Sequence, residues 1–249
     1  EMWKASGMDV DNVSFVRASE LVDTQDYWKK VLEVSRHTTV NRIVRTGQIM
    51  GRSESEVQQA SQILYPCMQT ADIFEMKVDI CQLGMDQRKV NILAREIGEK
   101  LGYWKPVVVS HHMLMGLGEP KTNAKDATER AIELKMSKSK PDTAIFMTDS
   151  AEEVKKKITK YAFSGGKDTI EEHRKKGGNP DIDSSYQWLR FFEEDDKKLE
   201  KIYNDYKSGK LLSGELKGIL IDKLNTFLKK HQKNREKAKK VLDKFILKD

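Results

Sequence analysis

The chain has 249 residues, enough for one large domain or two smaller ones with a buried core and no need of disulfide staples. Charged residues make up 34% and hydrophobic ones 38%, with a formal charge of +6 and a pI near 9.0; this is a globular composition that permits a nucleic-acid partner without requiring one. No apolar run approaches the length of a membrane span and no signal peptide opens the chain. The two cysteines, Cys67 and Cys81, lie in apolar runs without a CxxC partner, so free thiols, a cytoplasmic setting and no membrane association are expected.

Glu1 is followed at once by Met2-Trp3-Lys4, which reads as the end of a helix already under way and suggests a fragment. Val13-Ser14-Phe15-Val16-Arg17 is β-branched and aromatic and bounded by polar residues, so a strand is expected. Thr24 to about Ser35, with Tyr27, Val31 and Leu32, predicts an amphipathic helix; Thr38 to Met50 predicts a second, containing Val40, Ile43, Val44 and Ile49. Ser53-Glu54-Ser55-Glu56 then opens a long helix ending near Phe74, its hydroxyls able to cap free N–H groups.

That helix carries Tyr65, Gln69 and Asp72 at i, i+4 and i+7, on one face of an otherwise apolar segment. Such polar residues are often ordinary, satisfied helix residues, and spacing alone does not decide between that and a binding stripe. Val78-Asp79-Ile80-Cys81 reads as a short buried strand, and Gly84 with Met85-Asp86-Gln87-Arg88-Lys89 turns it into the next helix. In an open parallel sheet, ligands sit beyond the carboxyl ends of the strands, where helix N-termini offer free N–H groups, and Asp86 and Gln87 fall there.

Asp86 to Gly102 is expected to be helical, closed by Gly102, and Pro106 to Ser110 is the next buried strand. Alternating strands and helices indicate an α/β parallel sheet. His111 and His112 end that strand; adjacent strand residues point to opposite faces, which argues against a metal pair. Met113 to Leu134 is polar and glycine-containing and reads as loop, with a turn of helix from Asp126 to Leu134. It leads into Lys135-Met136-Ser137-Lys138-Ser139, where two lysines and two serines on a short loop suit a polyphosphate. Ala144 to Met147 is expected to be a last strand, and Ser150 with Glu152 and Glu153 opens a helix. From Ala162 onward only helical patterns remain, at Tyr186 to Phe192, Leu199 to Tyr206 and Leu216 to Phe245; the lysine-dense last helix suits a solvated face as well as a tRNA contact.

KMSKS at 135–139 resembles the second signature of class I aminoacyl-tRNA synthetases, and ILYPCMQTADIF with DICQLGMDQRKVNILARE resembles tyrosyl-tRNA synthetases of the archaeal and eukaryotic kind. The long ungapped match, in the right order and spacing, is far more specific than the pentapeptide. The resemblance implies a Rossmann-like parallel sheet, incomplete at its N-terminus, over residues 1–149 and an all-helical anticodon-binding domain over 150–249. The family's first signature, of the His-Ile-Gly-His type, would lie before Glu1, so the chain alone is expected to be catalytically incomplete.

The implied reaction activates tyrosine with ATP, accompanied by magnesium, and transfers the tyrosyl group to tRNA. Asp72 then accepts a hydrogen bond from the substrate phenol, and phenylalanine, lacking that donor, is rejected, as is known of tyrosyl-tRNA synthetases. Tyr65, Gln69 and Gln87 match positions that hold the α-amino group, and Gly84 and Asp86 positions beside the adenylate ribose. Lys135 and Lys138 bind the phosphates and stabilise charge as pyrophosphate leaves, while Met136 and Ser137 hold the loop. Helices from Thr24 to Met50 lie where the family pairs into homodimers.

Ala162-Phe163-Ser164-Gly165-Gly166, Glu171-Glu172-His173-Arg174 and Gly177-Gly178-Asn179-Pro180-Asp181 instead resemble tryptophanyl-tRNA synthetases of the same subclass. Tyrosine is favoured because the amino-acid pocket lies in the front half. A tryptophan enzyme, a non-catalytic tRNA-binding paralogue and an unrelated phosphate-binding α/β protein are the alternatives.

Overall fold

A computed structural model of the protein describes residues 1–47, 59–119, 134, 136 and 140–241. The elements are α1 (Met2–Ala5), α2 (Ala18–Val22), α3 (Gln25–Arg36), α4 (Val40–Gly47), α5 (Ala60–Glu75), β1 (Ile80–Gly84), α6 (Arg88–Ile97) and β2 (Val107–His111), followed by helices Ala151–Tyr161, Ile170–Lys176, Ser184–Phe192, Asp196–Lys207 and Ser213–Lys239. The fold is α/β and Rossmann-like, with a mostly helical remainder. Two compact units form: Phe15–Met113, which contains the sheet, and a helical unit built from Glu1–Ser14 and the described residues from Leu114 onward.

In the sheet unit β1 and β2 are parallel, in register from Ile80 opposite Val107 to Gly84 opposite His111, and α6 makes the connection between them. A parallel pair needs such a crossover, which α6 supplies by burying Val90, Leu93, Ala94 and Ile97. Gly102 follows the short 3₁₀ turn Glu99–Leu101 at φ +78°, the left-handed conformation in which a side chain would be strained. Helix α3 presents Tyr27, Val31 and Val34 to a core shared with Ile43, Cys67, Ala71, Leu93 and Ile97. Its N-terminus is capped by Thr24, whose hydroxyl accepts from the Tyr27 N–H.

The helical unit is organised by Ser213–Lys239, where Leu216, Leu220, Leu224 and Leu228 recur at four-residue steps and are all buried against Trp188, Leu189, Tyr206, Val154 and Ile158. Its other helices are capped as their sequences suggest. Ser150 and Glu153 form a reciprocal capping box, and Thr169, Asp183 and Asp195 each accept from N–H groups of the first turn.

Several expectations are corrected. Val13–Arg17 is not a strand: the 3₁₀ turn Val10–Asn12 precedes it, α2 follows, and Phe15 and Val16 are exposed, with no neighbouring strand among the described residues to complete a ladder. Ala144 to Met147 is not a strand either, because side chains take up its backbone polar groups. Phe146 N donates to Asp149, Lys157 Nζ donates to the Ala144 carbonyl, and Gln232 Nε2 to the Met147 carbonyl. Ile145 and Met147 pack on the helical core, and residues 1–14 group with the helices. Val78 precedes the strand, its N–H on the Ile73 carbonyl and its own carbonyl accepting from the Trp104 indole. The expected start of the long helix at Ser53 lies outside the described residues; within them α5 begins after Gln59, which shares a capping box with Gln62.

Candidate functional site

The polar stripe of α5 faces the turn that follows β1. Tyr65, Gln69 and Asp72 follow one another at helical spacing, and the 3₁₀ turn Met85–Gln87 carries Asp86 and Gln87 to the carboxyl end of the strand. The two are joined by one hydrogen bond, Gln69 Nε2 donating to Gln87 Oε1 at 2.7 Å. This leaves Gln69 Oε1 buried without a hydrogen-bond partner. A buried amide oxygen in that condition is costly unless a ligand or water donates to it, and it suits an ammonium group. Tyr65 is 51% exposed at the outer end of the stripe.

Asp72 lies half-buried one turn further along, and its Oδ1 accepts from the Tyr27 hydroxyl of α3 at 2.8 Å; the same hydroxyl is 3.4 Å from the Met68 carbonyl. Burial pushes the Asp72 carboxyl above the ordinary aspartate range, and Tyr27's hydrogen bond opposes that shift. The Tyr27 phenol is itself raised, by burial first and by its bond to the carboxylate second. A carboxylate has acceptor capacity beyond one bond, so Asp72 can take a further O–H or N–H.

Gly84 closes β1 beside Asp86: a Cβ there would meet Asp86 Oδ1 at 2.8 Å, forcing that carboxylate aside, and Met113 Cγ at 3.6 Å. His111 ends β2 with its Nδ1 3.1 Å from the His112 carbonyl, and among the described residues no group of three His, Cys, Asp or Glu side chains is placed to hold a metal ion. Of the KMSKS segment, Lys135, Ser137, Lys138 and Ser139 lie outside the described residues. Met136 is half-buried against the leucine-rich core of the helical unit, near Gly116, whose N–H binds the Leu134 carbonyl at 2.6 Å. No helix among the described residues is long and apolar enough to cross a membrane.

The structure thus brings Gln69 to Gln87, sets Asp86 beside Gly84, and joins Asp72 to a residue absent from the expected site. Tyr27 had one signal in the sequence: a tyrosine at the inward position of an amphipathic helix must find a partner for its hydroxyl once buried.

The family model for class I tRNA synthetases (W and Y) matches residues 1–229. A tryptophan–tRNA ligase of Sulfurisphaera tokodaii is 50% identical over 185 residues, covering 74% of this chain and 45% of that protein. The cytoplasmic tyrosine–tRNA ligase 1 of Arabidopsis thaliana is 42% identical over 262 residues, covering 97% of this chain and 63% of its own length. The crystal structure of tyrosyl-tRNA synthetase from Pyrococcus horikoshii, complexed with L-tyrosine, superposes with a TM-score of 0.77 at 33% identity, over 96% of this chain and 70% of that one. The chain therefore spans about half to two thirds of the length of these relatives. It belongs to the class I tRNA synthetases of the tryptophan and tyrosine branch.

Proposed function

We propose that the chain carries the tyrosine-selecting part of a tyrosine–tRNA ligase, which joins tyrosine to ATP as tyrosyl-adenylate, releases pyrophosphate and passes the tyrosyl group to tRNA. The observation that carries this reading is the half-buried carboxylate of Asp72, already holding one phenol, Tyr27, at 2.8 Å. An anionic acceptor recessed in an apolar helix favours a ring that ends in a donor and penalises one that does not. One turn away, the unpartnered Gln69 Oε1 is an acceptor for the α-ammonium, with Gln87 and Tyr65 beside it. Asp86 and Gly84 are assigned to the adenylate ribose, at the strand end where such ligands bind.

Lys135 and Lys138 are assigned to the phosphates, where positive charge stabilises departing pyrophosphate and no general base is needed, and Met136 and Ser137 to the loop that carries them. Magnesium arrives with ATP, held chiefly by its phosphates. A homodimer through the α3–α4 region is in keeping with the exposed Trp28, Leu32 and Val40 there, and the helical unit is assigned to the anticodon end of tRNA.

Tryptophan is the second reading, favoured by the 50% identity to a tryptophan–tRNA ligase, and the indole N–H is also a single ring donor. Amino-acid-dependent ATP–pyrophosphate exchange, run with tyrosine, with tryptophan and with neither, separates the two. Tyrosine-dependent exchange supports the proposal and tryptophan-dependent exchange replaces it. Silence with both that persists when the segment preceding Glu1 is supplied, together with salt-sensitive tRNA binding, makes the chain a binding module. In a preparation that exchanges, Lys138→Ala should slow the reaction about a hundredfold while leaving tyrosine affinity unchanged; an unchanged rate removes the lysine from the phosphate role.

A further inference from the structure

We propose that Tyr27 is a positioning residue for substrate selection: its hydroxyl holds Oδ1 of Asp72, so that the carboxylate presents its remaining acceptor capacity to the donor at the end of the substrate ring. The proposal rests on the reading of Asp72 as the group that selects the ring. Tyr27 is 1% exposed, fixed in the core by Val31, Val34 and Ala71 and packed edge-on against Trp28 at 5.7 Å. Its ring cannot leave without opening that core. The hydroxyl is therefore a stationary donor, 45 residues away in sequence from the carboxylate it addresses.

A carboxylate on α5 without this bond would rotate freely about its last torsion and, being recessed, would favour the protonated form. A protonated aspartate is a poor partner for a phenol, since one of its oxygens becomes a donor. Tyr27 thus acts on orientation and on charge at once. Charged neighbours do not supply the same service. Glu75, the next acid along α5, is paired with Lys30 of α3 at 2.7 Å, and no charged group of α4 or α6 bears on Asp72 among the described residues.

The test is Tyr27→Phe, which keeps the ring and removes only the hydroxyl, with three readouts on the full chain. Equilibrium binding of tyrosine is expected to weaken about tenfold with phenylalanine affinity unchanged, the size of one hydrogen bond to a charged group. The pH below which tyrosine binding is lost should rise, because the influence holding Asp72 ionised is gone. The Asp72 carboxyl resonance, followed by carbon-13 NMR, should titrate at higher pH, and this needs no ligand. Incorporating 3-fluorotyrosine at position 27 keeps the ring and strengthens the donor, so it should move the Asp72 midpoint the other way.

A lowered melting temperature in Tyr27→Phe with the tyrosine-to-phenylalanine ratio and the Asp72 midpoint unchanged would overturn the proposal, leaving Tyr27 as core only. Should Tyr27→Phe not fold, the fluorinated protein decides, and an unmoved midpoint overturns the proposal. Preference of the unaltered chain for tryptophan defeats the tyrosine reading, and Tyr27 is then judged by the loss of tryptophan affinity in the same variants. If the chain binds neither amino acid, the Asp72 midpoint decides.

Discussion

Asp72 and Asp183 each accept a hydrogen bond from a buried tyrosine, Tyr27 at 2.8 Å in the sheet unit and Tyr206 at 2.7 Å in the helical unit. Around them the two units differ. Asp183 is 1% exposed and caps the helix Ser184–Phe192, accepting from the N–H groups of Ser185 and Tyr186 with one oxygen and from Gly165 N and Tyr206 with the other. Its acceptor capacity is filled by the fold. Asp72 is half-buried in the last turn of α5, where the backbone N–H groups are committed to the helix and cannot serve it. A carboxylate saturated by the main chain belongs to stability, whereas one tethered by a single side chain keeps room for a ligand.

The sharpest way to break that comparison is to remove each acid. Asp183→Ala leaves three N–H groups buried without an acceptor and removes the shortest of the Tyr206 hydroxyl's contacts, and is expected to destabilise the helical unit by roughly 3–5 kcal/mol in denaturant unfolding. Asp72→Ala leaves one buried phenol with only the Met68 carbonyl at 3.4 Å and should cost the fold about 1–2 kcal/mol, while lowering tyrosine affinity about tenfold to a hundredfold with little change for phenylalanine. If the stability costs came out equal, the distinction between the two carboxylates would be lost.

Gln69→Met sharpens the contrast within the sheet unit. It replaces a buried acceptor without a partner by an apolar chain of similar length, so stability should hold within about 0.5 kcal/mol or rise, while tyrosine affinity falls about tenfold. Titration calorimetry and thermal melts on the same preparation read both quantities. A marked loss of stability would show that Gln69 is structural.

The smallest effect concerns Glu193, a further carboxylate of the helical unit that is satisfied by charge. Burial opposes its ionisation, yet Lys223 at 2.9 Å and Lys198 at 3.0 Å hold its carboxyl down to about 2. A folded-state value below the unfolded one adds stability that is present above about pH 4.5 and is lost as pH falls toward 2. Lys223→Met should flatten the dependence of melting temperature on pH across that interval; an unaltered slope would mean that Lys198 alone suffices.

Much of the helical architecture was legible because its signals are local. Ser150 with Glu153, Thr24 before Tyr27 and the four-residue leucine steps from Leu216 to Leu228 each act within a turn or two of themselves. The two false strands fail for the opposite reason. β-branched composition at Val13–Arg17 and Ala144–Met147 describes a residue's preference, whereas a strand requires a partner at the right distance, and Asp149, Lys157 and Gln232 claimed the second segment's backbone first. That Ile145 and Met147 pack on the helical core depends on leucines some seventy residues later, which no local spacing announces.

By itself the sequence determined the helices, their caps and the common face of Tyr65, Gln69 and Asp72, since helical period and capping depend on residues within four or so of one another. Only the tertiary structure decided that β1 pairs with β2, that Gln69 spends its amide N–H on Gln87, and that Asp72 is held by Tyr27. Those pairings join positions 18 to 45 residues apart, and their geometry follows from how α3, α5 and the sheet close on one core rather than from any spacing along the chain.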